Sequence, residues 1–413
     1  MRSEKVLKRL FWVVYGIVLI LLFLIFSELF FRQTTGVVGS YWSDLPAHIN
    51  FGLSGNGYSL IDIVLGWLAD IDLHAVGYFV SALVIITIFG GFVFIKKIFN
   101  SDSLVLPAVF SVLSVILVPM YIPYVSPYFD LTGIVLQPWH SPTYIGMRAG
   151  AVWVMIAFSS VCEKYKTEGL AVREWLTVTA LLTITTWIKP NFLIAYSLTL
   201  LFLLIVDYVK SGFAKSTFKH CFAMGCTVLP AFAVTVVQSV ILFDGSNTES
   251  NMIKTIPIMS SAFLKNGGWA AILQILTGLL FPAFIYILGC KITNRICRYV
   301  AAMFSFAFLQ ILFFAESGSR SQDNNFYWGI YVASYFVFLV GYALFDKMLH
   351  EVWKKKKVEK IVRLFLLFIC LILILWHAFS GVLRFAIIYS GFEYNGWPWI
   401  IEPYFKWMYD LVY

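Results

Sequence analysis

The chain has 413 residues, of which 60% are hydrophobic and only 13% are charged, and its formal net charge is +8. Soluble domains carry about 45–50% apolar and about 25% charged residues, so these few charges cannot cover a water-exposed surface. The composition excludes a soluble protein and predicts a polytopic membrane protein, in which the positive charge follows topology and requires no nucleic-acid partner.

Eleven apolar segments meet or approach the length of about 20 residues that a helix needs to cross a bilayer. The first lacks a small-residue cleavage site, so we expect a retained anchor helix and not a cleaved signal peptide. The fold class is therefore all-α, with residues 1–413 forming a single integral-membrane domain. The predicted spans lie at about 10–31, 76–95, 103–123, 145–162, 174–188, 192–209, 220–243, 268–290, 299–315, 326–345 and 361–381.

The distribution of basic residues predicts the orientation of these spans. With the N-terminus in the cytoplasm and the C-terminus outside, 22 of the 30 Lys and Arg residues lie inside, and the net charges are +13 inside and −5 outside. Merging the fifth and sixth spans would move 13 basic residues outward, against the positive-inside rule. We therefore expect a multi-pass protein of the plasma or inner membrane, in contact with membrane lipids. Its outer segments would be the loops at 32–75 and 124–144 and the tail at 382–413.

The first outer loop carries two candidate catalytic residues, Asp44 and His48, on either side of Pro46. Their i, i+4 spacing would place them on one face of a helix. Asp44 could instead be no more than the N-cap of that helix, since proline favours the first turn. A second amphipathic stretch, residues 59–73, predicts another helix lying in the outer interface.

Asp70 and Asp72 at the end of that stretch form a DxD triplet. Two carboxylates at this spacing are candidate ligands for a divalent cation, Mg²⁺ or Mn²⁺. Such triplets are common by chance, and a solvated helix end is the favoured interpretation.

The second outer loop contains Asp130 and, further on, His140 between Pro138 and Pro142. Two prolines force irregular backbone, which is tolerated at the membrane surface where it lines a polar cavity. His140 is therefore a candidate catalytic residue, although a satisfied interfacial histidine is equally compatible. Trp139 alone would be an interfacial belt residue.

Candidate phosphate-binding groups lie on the same predicted side. Ionisable groups near membrane depth are expensive and indicate function by default, and separate cations can clamp a phosphate. The candidate binding residues are Arg148, Lys189, Arg320 and Glu316. The alternative is that each cation pairs with an acid such as Glu28 or Asp130.

The segment at 326–328, Phe-Tyr-Trp, looks like an aromatic belt at the membrane interface.

This layout resembles the GT-C glycosyltransferases, integral-membrane enzymes that use polyprenyl-phosphate sugars. The resemblance covers roughly residues 1–345 in layout and rests on few residues, and the soluble C-terminal domain and a paired-acid motif at Asp44 are missing. It implies that Asp44 is the general base, that Asp130 is the second acid, and that Arg320 holds the donor phosphate. The partners would be a polyprenyl-phosphate-linked sugar and a glycan or lipid acceptor, in cell-envelope polysaccharide or glycolipid assembly.

The chemistry fits, since an inverting transfer needs a base for the acceptor proton and cations for the departing phosphate. His48 or His140 would orient the base or the acceptor. Three alternatives remain open. A transporter or flippase of a lipid-linked saccharide would use the same cavity, although no internal repeat is evident. An O-antigen polymerase or ligase-type enzyme would use related substrates, and a membrane acyltransferase would use His140.

Overall fold

The computed structural model describes residues 2–35, 43–120, 139–243, 254–255, 268–315 and 326–389, and nearly all of them are helical. A two-residue β1 (Lys254–Thr255) pairs antiparallel with β2 (Phe314–Ala315). Single 3₁₀ turns follow α10, α12 and α14 below. The helices are α1 (Arg2–Thr35), α2 (Leu45–Leu53), α3 (Leu60–Ile71), α4 (Leu73–Ile98), α5 (Val105–Leu113), α6 (Pro142–Val161), α7 (Tyr165–Glu168), α8 (Val172–Ile188), α9 (Asn191–Lys210), α10 (Lys215–Gly225), α11 (Leu229–Phe243), α12 (Gly268–Leu288), α13 (Arg295–Phe313), α14 (Tyr327–Glu351) and α15 (Lys357–Tyr389).

Seven of these helical segments are long and apolar enough to cross a membrane. The predicted spans at 103–123, 174–188, 268–290 and 299–315 correspond to α5, α8, α12 and α13, which are not among the seven. The structure thus shows a multi-pass, all-helical membrane protein, whereas eleven spans with the N-terminus inside stay a prediction. The seven segments are Lys5–Thr35, Leu73–Ile98, Pro142–Val161, Asn191–Lys210, Lys215–Val240, Tyr327–Lys354 and Lys357–Ala386.

Polar contacts between helices gather at two ends of the bundle. At one of them, which we call the Asp44 end, the Gln33 amide donates to the Trp139 carbonyl over 3.3 Å. Ser59 Oγ, just before α3, donates to the Ile188 carbonyl at the end of α8 over 2.8 Å. These bonds bring the C-terminal ends of α1 and α8 together with the N-terminal ends of α3 and α6.

The opposite end, which we call the Lys97 end, is held by a second set of bonds. Lys97 of α4 donates to Ser160 of α6. Arg295 at the start of α13 forms a buried salt bridge with Asp207 near the end of α9. Tyr165 of α7 donates to the same carboxylate. Helices therefore alternate in direction between the two ends.

The predicted break between the fifth and sixth spans is confirmed. α8 ends at Ile188, Lys189 has extended backbone at φ −160°, and α9 begins at Asn191. Pro190 cannot donate a helical hydrogen bond. Because α8 starts and α9 ends at the Lys97 end, the two are separate antiparallel helices.

The predicted helix at 103–123 is wrong in length, because α5 ends at Leu113. The following residues are buried without being helical as far as residue 120. Backbone in this position must find partners within the protein. One is supplied by His377 of α15, whose Nδ1 lies 2.8 Å from the Val118 carbonyl. By contrast, α15 is longer than predicted. It extends to Tyr389, beyond the predicted start of the outer tail at 382.

α14 lies at the centre of the bundle. The most apolar 18-residue window of this segment is entirely buried within the protein, whereas the corresponding window of α1 is only 17% buried. α4, α5, α6, α9, α12, α13 and α15 all pack against α14. The helix therefore contacts protein on every side.

α2 and α3 form a tight helical hairpin at the Asp44 end. Their backbones meet at Gly52 and Gly66, where a Cβ added to Gly66 would lie 2.4 Å from the Gly52 carbonyl carbon. Only glycine permits this approach. Ser59 and Asp62 form a capping box at the start of α3, so the helix predicted within 59–73 is confirmed. The hairpin presents Asp44, which immediately precedes α2, to the start of α6.

Candidate functional site

Asp44 and His140, predicted in different loops, lie together. The His140 Nε2 is 3.1 Å from Asp44 Oδ1. The Asp44 amide donates to the His140 carbonyl over 2.8 Å, and Ser43 Oγ donates to the same carbonyl over 3.0 Å. Both the backbone and the side chain of His140 therefore position Asp44.

The carboxylate of Asp44 is not used to cap α2. Asp44 occupies the N-cap position, but its side chain makes no capping hydrogen bond. The neighbouring Ser43 Oγ accepts from the Leu45 amide instead, over 3.1 Å. The interpretation of Asp44 as only an N-cap is therefore wrong. Its side chain remains 40% exposed and accessible to a ligand.

The surroundings of Asp44 keep it ionised. Partial burial raises its pKa, but the hydrogen bond from His140 and electrostatic interactions with His140, His48 and Lys189 lower the pKa by more. The net effect places the pKa of Asp44 below its ordinary value. At neutral pH, Asp44 is thus a carboxylate that can accept a proton.

His48 pairs with an acid that the sequence did not single out. Its Nδ1 lies 2.7 Å from Oδ1 of the fully buried Asp62, so of the two candidate histidines it is His140 that contacts Asp44. A carboxylate only accepts, so Nδ1 carries the proton. The other oxygen, Oδ2, accepts from the Ser59 amide over 3.4 Å. The spacing Ser59-x-x-Asp62, which is typical of a capping box, could have drawn attention to Asp62 in the sequence.

Lys189 lies beside the first turn of α6. Its Nζ donates to Thr143 Oγ1 over 3.1 Å and is 4.6 Å from the centroid of the Trp328 ring. The same indole lies nearly parallel to the His140 ring, 6.3 Å away, and 5.3 Å from Tyr144. Trp328 is 8% exposed, so the predicted aromatic belt is wrong for this residue. It instead links the surroundings of Asp44 to those of Lys189.

Arg148 is a fully buried cation in α6. Its guanidinium lies 5.4 Å from the Tyr144 ring and 5.5 Å from the Tyr335 ring. Among the described residues, none of its three nitrogens has a hydrogen-bond partner. The alternative pairing with Glu28 is wrong, since that acid contacts Arg32 at 2.7 Å. An unpaired buried charge is strongly unfavourable, so this position suits an anionic ligand.

One aspartate of the DxD triplet caps a helix, and the other is exposed within α3. Asp72 is the N-cap of α4 and accepts from the His74 amide over 3.0 Å. Hydrogen bonds from the amide and the ring of His74 lower the pKa of Asp72, while Asp70 is exposed. Within the ranges that the structure describes, no group of three potential metal ligands occurs.

Three predicted site residues, Asp130, Glu316 and Arg320, lie outside the described residues. Trp139 is buried against Phe26 and Phe385, so its assignment to an interfacial belt is wrong.

No protein-family model and no curated protein matches this chain. Its function is accordingly argued from the site itself.

Proposed function

We propose that the protein is a membrane glycosyltransferase of GT-C type, which moves a sugar from a polyprenyl-phosphate donor to a glycan or lipid acceptor. One observation carries the proposal: a partly exposed carboxylate lies at the Asp44 end, and a series of side-chain contacts connects it to two cations. Asp44 is held by His140. Trp328 lies between this pair and Lys189, and Arg148 lies in the second turn of α6. A base next to an anion-binding position is what displacement of a phosphate by a hydroxyl requires.

In the proposed reaction, the oxygen of the acceptor hydroxyl attacks the anomeric carbon of the donor sugar. A new carbon–oxygen bond forms, and the bond between that carbon and the phosphate oxygen breaks. The acceptor proton passes to Asp44, and the phosphate leaves with the electron pair. Its developing charge would be stabilised by Lys189 and by Arg148, which is buried where electrostatic interactions are strong.

The remaining groups position these three. His140 holds Asp44 through both side chain and backbone. The His48–Asp62 pair leaves His48 Nε2 without a partner among the described residues, and this nitrogen can accept a hydrogen bond from the acceptor. The charge distribution, which predicts that the Asp44 end faces away from the cytoplasm, supports a reaction on the extracytoplasmic side of the cell membrane.

The test is transfer by the purified, reconstituted protein supplied with a panel of polyprenyl-phosphate sugars. Asp44→Asn should lower the rate by about 10²–10⁴-fold, the usual contribution of a general base. Arg148→Met should lower it as well, because the leaving phosphate loses a cation. Asp70→Asn is the matched control, since it removes an exposed acid from the same loop.

Full activity in Asp44→Asn would overturn the assignment of the base. Movement of an intact lipid-linked saccharide across vesicles, with no new glycosidic bond, would favour a flippase instead.

A further inference from the structure

An apolar groove of about 340 Å³ lies between α9, α10 and α11, towards the Lys97 end. Its floor contains the buried Leu204 and Cys221, joined by a 3.7 Å contact from Cys221 Sγ to the Leu204 carbonyl. Its rims carry large apolar side chains that are all more than half exposed: Leu201, Ile205, Phe218 and Phe222. The groove is thus an open depression between the helices with an apolar lining.

Three lysines lie where α9 ends and α10 begins, at the Lys97 end of two helices that line the groove. Lys210 ends α9, Lys215 begins α10, and Lys219 follows one turn later. All three are exposed, and within the described part of the chain none forms a salt bridge. No Asp or Glu occurs between residues 208 and 243, and the preceding Asp207 is engaged with Arg295. The segment that carries the three lysines therefore supplies no acid to neutralise them.

We propose that the groove binds an acyl chain of an anionic phospholipid, whose phosphate lies among Lys210, Lys215 and Lys219. The volume is at the low end of the range of about 300–1,000 Å³ for ligand sites, which favours one chain over two. Each basic residue near an anionic lipid contributes about fivefold in affinity. Charge complementarity thus selects an anionic over a zwitterionic lipid.

The location separates this lipid from the proposed sugar donor. The groove lies towards the Lys97 end, whereas Arg148 and Lys189 lie towards the Asp44 end. The basic Lys97 end is predicted to face the cytoplasm, where anionic phospholipids are concentrated in the leaflet. The inference is independent of glycosyl transfer.

The experiment measures phosphatidylglycerol and phosphatidylcholine with identical chains binding to the full-length protein, by native mass spectrometry from a neutral detergent. One variant combines Lys210→Gln, Lys215→Gln and Lys219→Gln. A control combines Lys354→Gln, Lys356→Gln and Lys357→Gln, which removes three other exposed lysines of the Lys97 end that form no salt bridge within the described residues. A third variant, Gly225→Leu, fills the groove, since a Cβ at Gly225 would meet only Leu204 Cδ1, at 3.5 Å.

We expect the wild type and the control to retain phosphatidylglycerol in preference to phosphatidylcholine. The Lys210 triple variant should lose about one to two orders of magnitude in affinity for phosphatidylglycerol, and Gly225→Leu should lose binding with all lysines present. Thermal unfolding verifies folding, and if the triple variant does not fold, Gly225→Leu decides.

Three results would overturn the proposal. These are equal retention of both lipids by the wild type, an equal loss in the control, and unchanged binding in Gly225→Leu. Preferential retention of undecaprenyl phosphate over phosphatidylglycerol would likewise replace the phospholipid with a polyprenyl lipid.

Discussion

Replacing Gly66 by alanine should separate α2 from α3. The added Cβ would lie 2.4 Å from the Gly52 carbonyl carbon and 2.7 Å from its Cα, whereas carbon atoms pack favourably at about 3.5–4.0 Å. Both clashing atoms are backbone, so rotation of a side chain cannot relieve the contact. The hairpin must open by about 1 Å at this point.

The opening has two energetic consequences. Overpacking of this kind costs about 1–3 kcal/mol, against which alanine gains about 0.5–1 kcal/mol over glycine in a helix. The contact between His48 Nδ1 and Asp62 Oδ1, now 2.7 Å, joins the same two helices. An opening of about 1 Å would carry it beyond hydrogen-bonding range, and the buried carboxylate would then lose a partner at about 1–3 kcal/mol.

Gly16→Ala in α1 is the matched control, because a Cβ there meets nothing within 4 Å. We expect Gly66→Ala to be about 2–6 kcal/mol less stable than Gly16→Ala in SDS titrations of the detergent-solubilised proteins, and to transfer sugar more slowly. Equal stability of the two variants would refute the close packing of the hairpin and the positioning of His48 that depends on it.

Three further predictions concern other parts of the chain. Asp207→Asn leaves Arg295 buried without its carboxylate and should destabilise the protein by about 3–5 kcal/mol in the same titration; a loss below 1 kcal/mol would contradict a buried pair. The pKa of Asp44 is lowered, so its pairing with His140 stabilises the protein above the ordinary aspartate pKa, and this stabilisation is lost as the pH falls through the lowered value. In Asp44→Asn, the free energy of unfolding should therefore depend less on pH in the acid range. An unchanged dependence would argue against the pairing. Cys290 is the exposed thiol among the six cysteines, and an impermeant maleimide should label it in inverted vesicles but not in intact cells; the reverse pattern would invert the predicted topology.

Sequence reasoning selected residues that the structure brings close together, but it did not predict their contacts. Asp44, His140 and Arg148 stand out because charged and imidazole groups are rare in so apolar a chain. The pairing of Asp44 with His140 depends on a backbone hydrogen bond between residues 96 positions apart, and no local pattern encodes such a contact. The same applies to His48, whose partner was decided by the packing of α2 on α3.

Burial was the property least accessible from the sequence. Trp328 at the start of an apolar helix has the same local pattern whether it faces lipid headgroups or protein, and only the position of α14 inside the bundle decides it. Asp62 belongs to an amphipathic helix and would be expected on its solvated face. Its complete burial follows from the glycine contact between α2 and α3.

The central position of α14 also has a consequence for biogenesis. A helix that contacts protein on every side gains nothing from lipid once the bundle is complete, so partitioning into the bilayer cannot by itself determine where it comes to rest. Of the helices packed against it, α4, α5, α6, α9, α12 and α13 precede it in the chain, and only α15 follows. During synthesis, most of its binding partners are therefore already present when α14 emerges, and its arrival completes the docking of the earlier helices.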